Sequence, residues 1–174
     1  MAAVSDITGL LKYELGDLLY AEQISLKGLK QMSKETSNPQ IRDRIVQHAE
    51  ETQEHIVNLE RAFECIGYRP KAEKCGALLG LHHERELFKH EKRPIPEMLE
   101  AFNLGAGLRV EHYEIAGYRS AIALARQAGN QECVTLLQRN LDQEVAMATF
   151  LEQSAPNALA QLEGMGNEAS RPKL

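Results

Sequence analysis

The sequence predicts an all-α protein: an antiparallel four-helix bundle with an extra short helix between the second and third long helices. Three observations predict it. Gly and Pro are sparse, 12 and 6 in 174 residues, and aromatic residues make up 5% with no Trp, so turn formers and strand formers are both scarce. The strong Asn, Pro and Gly punctuation falls at only a few places and leaves long stretches uninterrupted. Within those stretches apolar residues recur at spacings of three and four, the period of a helix with one buried face.

The elements follow in order. A first helix runs from about Ser5, a candidate N-cap, to Lys34. Asn38-Pro39 opens the second, since Asn caps well and the missing N–H of Pro costs nothing at the first helical position. Gly67, with Pro70 beyond it, ends that helix. Residues 71–92 hold a shorter helical pattern around Leu78-Leu79. Pro94 and Pro96 close it and open the third long helix, which stops at Gly129. Asn130 caps a fourth long helix, expected to end before Pro156. This length suits one core. The expected organisation is a helical bundle over 1–156 and a polar, frayed tail over 157–174.

Composition excludes several classes of function. Twenty Lys and Arg stand against 25 Asp and Glu, a net charge of −5 without any basic run, so nucleic acid is not an expected partner. No apolar stretch of about 18 residues exists to span a membrane, and no basic-then-apolar start marks a secretory signal. Cys65, Cys75 and Cys133 form no CxxC pair, which fits a reducing cytoplasm and no zinc–thiolate site. No glycine-rich phosphate loop is present.

The core stripes carry the chemistry. Leu11, Leu15, Leu18, Glu22, Ser25, Leu29 and Met32 share one face of the first helix. On the third long helix the stripe is Leu104, Leu108, Glu111, Ile115, Tyr118 and Ile122, and on the fourth it is Val134, Leu137, Leu141, Glu144, Ala148 and Leu151. The second has Ile41, Ile45, His48, Thr52, His55 and Leu59, with Glu51 about 60° to one side and four residues before His55. Glu22 lies 12 residues before Lys34 and Glu51 lies 12 after Pro39, so the hairpin sets them side by side. Glu111 is 18 before Gly129 and Glu144 is 14 after Asn130, a mismatch of about one turn, ~6 Å. Four carboxylates therefore share one slab of the bundle.

Ionised carboxylates in a core cost several kcal/mol each when unpaired, and they repel one another. The stripes contain no basic residue, and Arg109 is about 160° from Glu111 around its helix. Bound cations remain. Carboxylates with one or two imidazoles suit iron or manganese, and two divalent ions balance four Glu charges.

Five segments, Asp17-Leu-Leu-Tyr-Ala-Glu-Gln23, Glu51-Thr-Gln-Glu-His55, Lys74-Cys-Gly-Ala-Leu-Leu-Gly-Leu81, Val110-Glu-His-Tyr-Glu-Ile-Ala-Gly-Tyr118 and Asn140-Leu-Asp-Gln-Glu144, spread over about residues 5–155. Through them the chain resembles the ferritin-like bacterial stress-protein family of the YciE/YciF type. The resemblance implies a dinuclear site with two irons, or manganese as the alternative. Glu22 would be a ligand, Glu51 the bridging carboxylate and His55 the imidazole of the second helix. Glu111 and Glu144 would be their equivalents in the other half. Two departures stand out: Glu51-x-x-x-His55 replaces the family's Glu-x-x-His, and Met147 and Ala148 follow Glu144 where a second His is usual. Glu114 would fill that gap. The implied activity is reduction of peroxide or oxygen, or iron handling, in a stress response. The alternative is a non-catalytic bundle that metal only stabilises, and a storage cage ranks last.

Other polar residues have plainer readings. His48 is read as a hydrogen-bonded core histidine behind the ligands, Glu54 as solvated, His112 as an interhelix hydrogen-bonder and Tyr118 as packing. His82, His83, Glu84, Glu86 and His90 read as a solvated face, and Cys75 as unreactive. Leu78, Leu79, Leu81, Leu87 and Phe88 exceed what one face of a closed bundle needs, so a homodimer is expected.

Overall fold

The computed structural model describes residues 4–169. Helix α1 (Ile7–Glu35) starts one residue later than a Ser5 cap would place it, because the Asp6 carboxylate accepts the Gly9 amide at 2.7 Å. Helix α2 (Pro39–Cys65) starts where the sequence places it, with Asn38 Oδ1 accepting the Gln40 and Ile41 amides at 3.0 and 3.3 Å. It ends as Gly67 turns left-handed (φ 78°), with the Gly67 and Tyr68 amides bonded back to Glu64 and Phe63.

The expected helix over 71–92 is shorter at its start. Residues 66–75 are a connection that lies on α1, where the Glu73 amide donates to the Gly16 carbonyl at 2.9 Å. The amides of Ile66, Gly67 and Tyr68 bond back to α2 and that of Glu73 to α1, so these groups are not spent on a helix of the segment's own. Helix α3 (Gly76–Leu87) follows, runs into one π-helical turn over Phe88–Lys92, and stops at Arg93 (φ 47°). Helix α4 (Pro96–Gln127) begins on Pro96, and Gly129 (φ 72°) turns the chain into α5 (Gln131–Ala169). Asn130 caps α5 through the Cys133 amide at 3.0 Å, and its amide nitrogen donates to the Cys65 carbonyl at 2.7 Å, joining the two hairpin ends.

Pro156 does not end α5, contrary to the sequence expectation. Ala155 and Ala158 on either side of it pack against the cluster of Leu29, Met32, Ile41, Ile45, Leu104, Met147 and Leu151. That burial holds the helical course past the missing N–H, as tertiary packing commonly overrides local preference. Residues 170–174 of the expected tail lie outside the described residues.

The four long helices form the expected antiparallel bundle, α1 between α2 and α4, and α5 between the same two neighbours, with α3 lying outside on α1 and α4. One apolar layer holds Leu11, Leu15, Leu18, Leu59, Phe63, Ile122 and Leu137. The Leu29–Leu151 cluster forms the other, and buried Glu22, His48, His55, Glu111 and Glu144 fall between them. Among the described residues there is no strand, and no helix is long and apolar enough to cross a membrane. Of the apolar residues expected at a dimer contact, Leu78 is buried with Ala21 and Cys75, and Phe88 stacks on Phe102 with centroids 3.8 Å apart. Leu87 remains 41% exposed.

Gly16 is the closest approach of the connection to the bundle. A Cβ there would stand 2.9 Å from the Lys71 carbonyl oxygen, a backbone atom that cannot swing aside. Overpacking of about 1–3 kcal/mol exceeds the roughly 0.5–1 kcal/mol that alanine gains in helix preference. Gly16→Ala should therefore lower the urea midpoint without changing the slope.

Candidate metal centre

Helix α1 contributes Glu22, α2 contributes His48 and His55, α4 contributes Glu111 and Glu114, and α5 contributes Glu144. All six are buried, none more than 3% exposed. Glu22, His48, His55, Glu111 and Glu144 converge because each occupies its helix's core stripe between the two apolar layers, and Glu114 is buried beside that stripe. His48 and His55 are seven residues apart, within about 20° of the same direction and about 10 Å along the axis. Their ring centroids are 6.1 Å apart.

Two groups of ligand atoms form, each with its members within 4.8 Å of one another. In one, His55 Nδ1 lies 3.3 Å from Glu22 Oε1 and 2.8 Å from Glu144 Oε1. In the other, His48 Nε2 lies 3.3 Å from Glu111 Oε2 and 3.6 Å from Glu144 Oε2. Glu144 thus gives one oxygen to each group.

The far nitrogen of each histidine meets an acceptor. His55 Nε2 is 2.8 Å from Gln143 Oε1, and His48 Nδ1 is 3.0 Å from Glu51 Oε2. Donation to those oxygens places the neutral-ring lone pairs on His55 Nδ1 and His48 Nε2, which face the carboxylates. Glu51 is itself held by Arg44 at 3.0 Å and Gln47 at 2.8 Å. The Tyr118 hydroxyl donates to Glu22. Asn140 donates to the Tyr118 oxygen at 2.9 Å and to the His55 carbonyl at 3.2 Å, and Asn58 donates to Asn140 at 2.8 Å. Ser25 donates to Glu114 at 2.8 Å.

Glu22 Oε2, His55 Nδ1, Glu111 Oε2 and both Glu144 oxygens are buried without any hydrogen bond. Buried polar atoms are normally paired, so five buried atoms without partners call for a proton or a cation. Without a cation, protons take its place. Burial pushes Glu111 and Glu144 up to about 7, and raises Glu22 and, further, Glu114. Burial opposes the charge on His55, but the Glu22 and Glu144 carboxylates push it up to about 11. Glu51 differs: burial would raise it, yet His48 and Arg44 hold it down to about 2.

The sequence-derived residues therefore divide. Glu22, His55, Glu111 and Glu144 belong to the two groups. Glu114 is buried beside them, bonded to Ser25 and outside both. Glu51 also lies outside both, behind His48, and His48 stands inside. The stripe already carried that signal, since His48 sits on it and Glu51 does not. The acidic and histidine cluster of α3 enters no such group among the described residues. His112 is mostly exposed, 3.5 Å from Glu152, and Glu54 is an exposed partner of Arg139.

The chain matches the family described as a domain of unknown function, DUF892, over residues 6–163. It is 31% identical over 145 residues to the protein YciF of Escherichia coli strain K12, spanning 82% of this chain and 86% of that one. The structure of YcfI from Rhodopseudomonas palustris superposes with a TM-score of 0.82 at 34% identity, covering 86% of this chain and 94% of YcfI. That of the E. coli stress protein YciF superposes at 0.80 with 27% identity, covering 90% and 98%. These similarities bear out the resemblance seen in the five sequence segments.

The protonation pattern sets a pH signature for metal-free protein. Glu111 and Glu144 titrate near 7 when folded and near 4.5 when unfolded, so the folded state binds more protons between those values and stability falls as pH rises through that window. His55, raised from 6.5 to about 11, extends the fall to higher pH. Chelator-treated protein should therefore melt at lower temperature at pH 7.5 than at pH 5. Metal-loaded protein should show the reverse order, because protons compete with the ions for the same atoms. Thermal melts of both forms across this range check the sign.

Proposed function

This chain belongs to the DUF892 family, and we propose that it is a ferritin-like dinuclear metal protein of the stress response. Glu22 and His55 would hold one divalent ion, His48 and Glu111 the other, and Glu144 would bridge them. The observation that carries this reading is the pair of histidine–carboxylate groups sharing Glu144, with ligand atoms left unbonded in the interior. The oxygen-and-imidazole donor set suits iron, with manganese as the alternative. Two such ions balance Glu22, Glu111, Glu114 and Glu144.

The bound pair would supply two electrons for reducing dioxygen or peroxide. The chain's own residues set the conditions. Glu144 fixes the spacing of the two positions, Gln143 and Glu51 orient the imidazoles, and Tyr118 with Asn140 and Asn58 holds Glu22 in place. The stress-response role follows E. coli YciF, which is called a stress protein. The chain would act in the cytoplasm as a homodimer, and sedimentation giving only monomer at micromolar concentration would overturn the dimer.

A second reading has its own observation. Every ligand side chain is buried, as in closed structural metal sites, so the ions would serve only to stabilise the bundle. Consumption of dioxygen or peroxide by metal-loaded protein, above that of the same ions free in solution, decides for the first reading.

Metal analysis of protein grown with iron and manganese should find two ions per chain. Glu144→Ala should lose both, and Glu111→Ala should lose metal and, with it, most of the drop in melting temperature that a strong chelator causes in wild type. Equal chelator responses in wild type and Glu111→Ala would reject Glu111 as a ligand. Glu51→Gln should keep the stoichiometry while weakening affinity by about 10–100-fold, the effect of removing a residue that orients a ligand. Loss of one ion outright in that variant would make Glu51 a ligand instead.

A further inference from the structure

Most residues of the centre are steadied from outside it. Gln143 meets His55, Glu51 meets His48, the Tyr118 hydroxyl donates to Glu22, and Ser25 donates to Glu114. Glu144 spans both ligand groups. Glu111 differs: among the described residues it has no hydrogen-bonded partner outside the centre, and its Oε2 is buried without any.

A cavity of about 30 Å³ lies beside Glu111, walled mainly by apolar side chains such as Met32, Val110 and Leu151. Three polar residues also line it: Glu111, Ser25 and His82 of α3. His82 is half-buried, unlike its exposed neighbour His83, and its Nε2 is buried without a hydrogen bond. The ring lies against Gly28 of α1, where a Cβ would stand 2.4 Å from Cε1. Only glycine lets the imidazole in so far.

A buried water needs roughly 10–15 Å³ and two to four polar partners, so this cavity has room for one or two. Ser25 Oγ spends its proton on Glu114 and keeps lone pairs for a further bond. Burial and the Arg85 guanidinium hold His82 below the usual histidine range, which leaves the ring neutral near pH 7. Either tautomer then serves. With its proton on Nε2 the ring donates to the water, and with it on Nδ1 the ring accepts. In both cases a water hydrogen is left for the Glu111 carboxylate.

We infer that water in this cavity hydrogen-bonds His82 Nε2 to Glu111, making His82 the positioning residue of that carboxylate. The consequence for metal rests on the dinuclear reading above, in which Glu111 holds one ion. Through it α3, the helix outside the bundle, takes part in the centre. Removing a residue that orients a ligand weakens metal binding by about 10–100-fold, and one acting through water belongs at the lower end.

Crystals of the chelator-treated full chain should show water within about 2.5–3.2 Å of both His82 Nε2 and a Glu111 oxygen. His82→Phe keeps a ring over Gly28 but offers no polar atom, and should lose that water. Titration of this variant with manganese(II) should find one of the two ions bound about tenfold more weakly and the other unchanged. His82→Gln, whose amide still bonds water, should restore most of the affinity. Gly28→Ala, whose Cβ pushes the imidazole aside, should repeat the phenylalanine result with His82 still present. His83→Phe should bind both ions as wild type does. A wild-type cavity without water overturns the bridge. Wild-type affinity for both ions in His82→Phe, or an equal weakening of both that His82→Gln does not relieve, overturns the positioning role. Wild-type protein that binds neither manganese nor iron overturns the dinuclear reading and that role with it, while the water in the crystals still decides whether the bridge exists.

Discussion

Carboxylates placed at one level of a closed helical bundle are the constraint on which the rest of this structure depends. Glu22, Glu111, Glu114 and Glu144 sit among residues that exclude water almost completely. Several kcal/mol per uncompensated charge is comparable to the whole stability of a domain of this size, so the fold needs a partner for them. The nearest arginine, Arg44, is spent on Glu51. What remains is a proton or a metal ion, and the same orphaned atoms accept either.

The surroundings divide the buried polar atoms into those left unbonded and those held in place. Glu22 Oε2, His55 Nδ1, Glu111 Oε2 and both Glu144 oxygens carry no hydrogen bond, whereas the far nitrogens of the histidines meet acceptors, His55 at Gln143 and His48 at Glu51. The Asn58–Asn140–Tyr118 chain runs from α2 through α5 to α4 and ends on Glu22 of α1, so one hydrogen-bonded path touches all four long helices. Such a path fixes the position of Glu22 without using the oxygen left free, Oε2.

Much of this was legible in the sequence because helices obey a short list of rules. The Asn38-Pro39 start, the Asn130 cap and the carboxylate in the middle of three apolar stripes all follow from period and capping chemistry, and the structure keeps them. Where the reading departed from the structure, a non-local contact decided. The Glu73 amide of the 66–75 connection bonds to Gly16 of α1 rather than within a helix of its own, and Ala155 and Ala158 carry α5 past Pro156. At the site, the i,i+4 spacing of Glu51 and His55 suggested convergence, yet Glu51 leans toward Arg44 and Gln47 and supports His48 instead. The stripe position of His48 was the better guide, since angle around the axis outranks proximity along it.

The division of ligands among helices has an energetic consequence. Hairpin α1–α2 is closed by a three-residue turn and hairpin α4–α5 by a similarly short one, whereas the two hairpins are joined only through the long route of α3 and its flanking segments. Each ligand group draws on both hairpins: Glu22 and His55 with Glu144 in one, His48 with Glu111 and Glu144 in the other. Ions bound there would cross-link the halves at the level where the chain itself does not. Their binding energy would then act as folding energy for the interface between hairpins, more than for either hairpin alone. That interface also carries the repulsion among Glu22, Glu111 and Glu144 when no cation is present. Catalyst or staple, a cation held by Glu22, His55, His48, Glu111 and Glu144 would therefore sit where it adds most to holding the bundle closed.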